Sequence, residues 1–145
     1  MTPQQVQLVK RSFAKIAPIA DHAAGLFYGR LFEIAPQLRP LFQSDIKAQG
    51  RKLMSAIALA VGSLQRLPEL VPVVQDLGRR HAGYGVEDEH YDIVGEALLW
   101  TLDKGLGTDF TPEVRDAWTT VYSTLADTMK SAASRSGEPR HDGEE

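Results

Sequence analysis

Cysteine is absent from this 145-residue chain, which removes disulfides, thiolate metal ligation, cysteine-bound zinc and iron–sulfur clusters. Any metal must be held by nitrogen or oxygen. Long apolar runs are missing too: none approaches the ~18–20 residues of a membrane-spanning helix, so no membrane is expected as a partner. The start Met1-Thr-Pro-Gln-Gln carries no basic-then-apolar leader, and the expected location is cytoplasmic. Charge of one sign is scarce as well. Sixteen Lys and Arg stand against 19 Asp and Glu, for a net charge of −3, and the two signs are interspersed. Nucleic acid, which requires a basic stripe, is therefore not an expected partner. Strand-like alternation of useful length and internal repeats are also lacking, which leaves an all-α protein of one domain.

What is present is helical periodicity with clear punctuation. Thr2-Pro3-Gln4-Gln5 offers an N-cap, a proline in the first turn and a glutamine able to complete a capping box. Val6, Val9, Phe13 and Ile16 then form one stripe until Pro18. A second helix is predicted over about 19–35, with Ala24, Phe27, Tyr28, Leu31 and Phe32 spread over a wide apolar arc. The two prolines in Pro36-Gln-Leu-Arg-Pro-Leu-Phe42 predict a short helical turn and a corner at Phe42. From about Asp45 to Leu67 the pattern predicts one helix, with Gln49, Leu53, Ala56, Ala60 and Leu64 on its inner face.

Pro68 opens the next helix, which ends near Gly83-Tyr-Gly85; Glu87-Asp-Glu89 then marks the acidic start of another, with Tyr91, Val94, Leu98 and Leu102 along it. Thr111-Pro112 begins a long last helix lined by Val114, Trp118, Val121, Leu125 and Met129. After Ala133 no apolar residue anchors the chain. The expected organisation is a domain over 1–133 and an unstructured tail over 134–145, with six to seven helices in all.

His81 ends a helical stripe containing Val74 and Leu77, seven and four residues before it. A histidine there is either a solvated helix-end residue or a metal ligand. Tyr28 and Gln49 sit on apolar faces of other helices, where a polar group is costly without a partner. An imidazole facing a hydroxyl and an amide across an apolar cleft is the arrangement of a gas-binding haem. Tyr28 also reads as an ordinary core tyrosine, and Gln49 as a residue turned outward. His22, His90 and His141 look like cap, first-turn and tail residues.

Several markers occur in order: Leu-Phe-Tyr-Gly-Arg-Leu-Phe32, Pro36 six residues before Phe42, Gln-Gly-Arg-Lys-Leu-Met54, Gly-Arg-Arg-His81, and Tyr91 ten residues after His81. In this the chain resembles the bacterial single-domain globins related to the haem domain of flavohaemoglobins, over about residues 2–133. The resemblance implies a three-over-three helical sandwich holding haem b. It makes His81 the proximal iron ligand, Phe42 the ring packed on the haem, Leu53, Val94 and Leu98 the apolar lining, and Tyr28 with Gln49 the distal hydrogen-bond donors. Leu77 and Tyr91 would support the proximal side, and Arg80 and Lys52 are candidates for the haem propionates. The family's glutamate near the end of the last helix falls on Ala133, so the carboxylate that would push electron density onto the histidine is missing.

The implied function is reversible binding of dioxygen for storage or transport, without a catalytic residue of its own. Nitric oxide and carbon monoxide are further candidate ligands. The rivals are a nitric oxide dioxygenase, a haem-based gas sensor, and a relative that has lost haem. No Gly-x-Gly-x-x-Gly segment is present, so a dioxygenase would need an external reductase.

Overall fold

The computed structural model describes residues 1–42 and 45–136. Its six α-helices are α1 (Pro3–Ile16), α2 (Ala20–Ile34), α3 (Ile46–Gly62), α4 (Leu67–Gly83), α5 (Asp88–Leu106) and α6 (Pro112–Ser136), joined partly by single turns of 3₁₀ helix. No strand occurs among the described residues. No single helix there is long and apolar enough to cross a membrane.

The caps read from the sequence are in place. The Thr2 hydroxyl accepts from the Gln5 amide at 3.1 Å and the Gln5 side chain returns the bond to the Thr2 amide at 3.0 Å. Thr111 caps α6 in the same way, through the Val114 amide at 3.2 Å. His90 proves to be a capping residue: its Nδ1 accepts from the Glu87 amide at 2.9 Å. Gly107, at φ +58°, ends α5 in a backbone region that side chains avoid. The long helix expected over 45–67 is instead two elements. α3 stops at Gly62, the chain bends at Ser63, and a 3₁₀ turn carries Leu64 into the core. α6 runs three residues past Ala133, to Ser136, and the rest of the expected tail, with His141, lies outside the described residues.

α1, α3 and α4 lie across α2, α5 and α6 in two layers, with α4 on α6, α3 on α2, and α1 on both α5 and α6. One core cluster joins Val6, Val9, Ile16, Leu102, Trp118 and Val121. At its centre Ser12, buried though polar, accepts from the Trp118 indole N–H at 2.8 Å and donates to the carbonyls of Leu8 and Val9, so both polar groups are satisfied. α3 and α4, adjacent in sequence, do not pack extensively on each other. Direct packing thus does not close the space between them, which is left as a gap at that end of the fold.

Candidate functional site

One wall of the gap is a cluster built on Phe27, Tyr28, Leu31 and Ala97, against which Phe42, Leu53, Val94 and Leu98 pack while remaining half-buried. Each comes from a different position in the chain: the corner after the Pro36–Leu41 turn, α3, and two successive turns of α5. Apolar side chains that stop halfway into a core mark a surface shaped to be covered. The opposite wall belongs to α4, whose Leu77 packs with Leu70, Val74, Tyr91 and Met129.

Tyr28 is buried in an aromatic nest. Phe27 stands edge-on at 5.0 Å between ring centroids, Phe42 edge-on at 5.4 Å, and Phe32 lies stacked at 5.9 Å. Burial pushes its phenol up to about 12, against a smaller opposing effect from a side-chain hydrogen bond with Gln49. Tyr28 therefore keeps its proton at neutral pH and acts as an O–H donor rather than as an anionic ligand. The pairing with Gln49 joins two residues that sequence spacing alone left separate, and it places both polar groups within the apolar wall.

On α4, His81 is half-buried near the helix end, and its Nδ1 lies 2.8 Å from the Leu77 carbonyl oxygen. A carbonyl only accepts, so Nδ1 carries the proton and Nε2 is the nitrogen left to bind a metal. Burial is the main cause that holds the imidazole below its ordinary pKa; the Arg80 charge adds to this and the Leu77 bond opposes it. Neutral imidazole is the form that ligates.

The remaining predicted residues fall outside the gap or at its border. Tyr91 is buried beneath α4, its carbonyl accepting from the Tyr122 hydroxyl at 2.6 Å and its ring facing the Lys130 ammonium at 5.7 Å. It supports the proximal wall by packing and makes no hydrogen bond to His81. Arg80 is exposed and ion-paired with Asp76 at 3.1 Å; Lys52 is exposed on α3. Ala133 is half-buried on α6 and brings no carboxylate, so the neutral Leu77 carbonyl is the group that orients His81.

Sequence reasoning missed a small cavity of about 20 Å³ behind the gap. Phe13, Phe27, Leu53, Ile57, Leu98 and Trp118 are among its lining residues. Thr101 lines it too, with its hydroxyl turned to the Ala97 carbonyl at 2.8 Å. The Ser12–Trp118 pair that frames this region was also missed, although a serine inside an apolar stripe is a signal that could have found it.

Fold and site together give an all-helical protein with a half-buried histidine whose Nε2 is left free by its Leu77 bond, and an apolar cluster that holds a paired tyrosine and glutamine. The chain belongs to the globin family, whose model matches residues 25–129. It is 30% identical over 125 residues to the flavohemoprotein of Bacillus subtilis strain 168, a match covering 84% of this chain and 31% of that protein. The chain thus spans about a third of that relative's length. Among solved structures it resembles an engineered carbene transferase made from a putative nitric oxide dioxygenase of Rhodothermus marinus. The TM-score is 0.84 at 27% identity, with 93% of this chain and 94% of the other covered.

Family membership implies a haem cofactor. The residues fit it: a free imidazole nitrogen on one wall, and half-buried apolar side chains on the other. Retention is expected to be pH-dependent. The folded His81 has a pKa below the 6.5 of an unfolded histidine, so the unfolded chain binds the proton first and stability falls as pH drops below that value. Haem transfer to an acceptor protein should stay flat above pH 6.5 and accelerate as pH falls from 6.5 to 5, by about tenfold per unit at most. A His22→Gln variant should show the same profile; a rate flat across that range would remove His81 protonation as the cause.

Proposed function

We propose that the protein binds haem b and uses it to hold dioxygen reversibly, as a storage or transport protein. Two observations support this reading: Tyr28, which keeps its proton, is hydrogen-bonded with Gln49 inside an apolar cluster, and the His81 ring is oriented by the neutral Leu77 carbonyl. Ferrous haem supplies an open coordination position that takes a diatomic gas. The chain does the rest. His81 presents neutral Nε2, and the Leu77 carbonyl fixes its tautomer without the electron push that a carboxylate would add. Tyr28 and Gln49 offer an O–H and an N–H to a ligand that has become a hydrogen-bond acceptor. Phe42, Leu53, Val94 and Leu98 exclude water, which strengthens those bonds.

A second reading, nitric oxide dioxygenation with an external reductase, is favoured by the likeness to the Rhodothermus marinus protein, described as a putative nitric oxide dioxygenase. Two measurements test both. Reduced protein reconstituted with haem should show an intense Soret band that shifts on adding carbon monoxide; a chain that stays colourless ends both readings. Mixing the dioxygen-loaded protein with nitric oxide should then give one equivalent of nitrate and stop. Sustained nitrate formation with a reductase present would favour the dioxygenase instead.

A further inference from the structure

The α4–α6 seam holds a feature that neither reading uses. Leu70, Val74 and Gly78 recur every four residues along α4, all are buried, and Leu70 and Val74 pack on Ala126 and Met129 of α6. Side-chain size falls from Leu to Val to nothing along this stripe, so α4 closes on α6 toward its His81 end. At Gly78 the approach is backbone to backbone: a Cβ there would lie 2.5 Å from the Met129 carbonyl oxygen and 2.6 Å from its Cα. No flexible side chain is available to yield. Among the described residues α6 is the one long helix on which α4 packs extensively, and the face of α4 opposite this stripe carries the exposed Val73, Asp76 and Arg80.

We propose that Gly78 is a positioning residue for His81: the taper it completes seats α4 against α6 and so fixes how far the imidazole stands from the opposite wall. The proposal rests on the haem reading. Leu77, whose carbonyl orients the ring, and His81, one turn further, belong to the stripe beside Gly78, so the three move together. A methyl group at position 78 would have to lift α4 by roughly 0.5–1 Å to restore an ordinary contact. With α6 behind it, α4 can yield only away from α6, and Leu77 and His81 are carried with it.

The test uses the full, haem-loaded chain with Gly78→Ala, and Gly25→Ala as control, since a Cβ at Gly25 meets nothing within 4 Å. A displaced α4 changes where the imidazole stands. For Gly78→Ala the iron–histidine stretching band in resonance Raman spectra should therefore shift, and carbon monoxide association should change by roughly three- to tenfold. Gly25→Ala should change neither. In a His81→Gly background filled with free imidazole, Gly78→Ala should no longer move the iron–imidazole band, because that imidazole is not tethered to α4.

A Gly78→Ala protein that melts earlier but keeps the wild-type band and rate overturns the proposal, as does a shift that persists with free imidazole. If Gly78→Ala does not fold, Ala126→Ser places a smaller wedge in the same seam. It should shift the band in the same sense, and an unchanged band there overturns the proposal equally. Wild-type protein that takes up no haem defeats the haem reading itself and the proposal with it.

Discussion

His81→Gly is expected to lower haem affinity by more than about a hundredfold and to leave purified protein nearly colourless. The reason lies in how the two walls are built. Phe42, Leu53, Val94, Leu98 and Leu77 offer apolar contact, which is non-directional and holds a flat ring without fixing it. Directional attachment comes from one nitrogen, Nε2 of a ring whose other nitrogen is committed to the Leu77 carbonyl. Free imidazole should restore colour to His81→Gly, because the space it vacates is lined by the same neighbours. The helix itself should survive, since His81 lies in the last turn of α4 and is only half-buried. Circular dichroism of the haem-free variant checks that point. A variant that keeps its Soret band at wild-type intensity would show that another residue holds the iron.

The second large effect is kinetic. Tyr28→Phe should speed dioxygen dissociation about 10–100-fold, because a hydrogen bond to a charged partner contributes roughly 1.5–3 kcal/mol. Association should change much less. Phenylalanine keeps the ring that packs between Phe27, Phe32 and Phe42, so the aromatic nest persists and only the hydroxyl is lost. Gln49→Leu removes the other donor and also the partner of Tyr28. The two substitutions should therefore combine less than additively, as residues in one network do. Stopped-flow dissociation on both single variants and the double variant decides the matter. A Tyr28→Phe rate equal to wild type would take the hydroxyl out of the ligand's surroundings.

Much of this architecture was readable from punctuation. Thr2-Pro3 and Thr111-Pro112 announce helix starts by local chemistry that no tertiary contact needs to override, and both helices begin there. The arc of Phe27, Tyr28 and Leu31 was equally clear, since bulky apolar residues spaced three and four apart have few alternatives to burial. The bend at Ser63 was not readable. Residues 54–61 favour helix, and the one local cue, Gly62-Ser63, is weak beside an apolar period that runs on unbroken to Leu64. The turn exists because Leu64 is buried among residues contributed by other helices, a demand that appears only in three dimensions. The inner face of α3 was misjudged for a related reason. The period was right, yet Ala56 is exposed and Gly50 and Val61 are buried, because α2 approaches closely enough that a Cβ on Gly50 would lie 2.9 Å from the Ala24 side chain.

At the site, the residues that differ from their surroundings were legible: a tyrosine, a glutamine and a histidine on apolar stripes. The pairing of Tyr28 with Gln49 and the tautomer of His81 needed coordinates, since both depend on which atoms meet. Gly78 was hidden by its context, because a glycine before two arginines near the end of a helical segment reads as a fraying terminus rather than as the tightest point of a helix crossing.

The separation of α3 from α4 has a thermodynamic meaning. On the proposed reading a haem seated there would touch one structural half through Leu53 and Phe42 and the other through Leu77 and His81, and it would find no such pair of surfaces on the unfolded chain. Occupancy therefore acts as a cross-brace. The folded population is raised in proportion to the logarithm of free ligand over its dissociation constant, about 1.4 kcal/mol for each tenfold excess. The thermal endurance of this protein becomes a property of its cofactor supply as much as of its sequence.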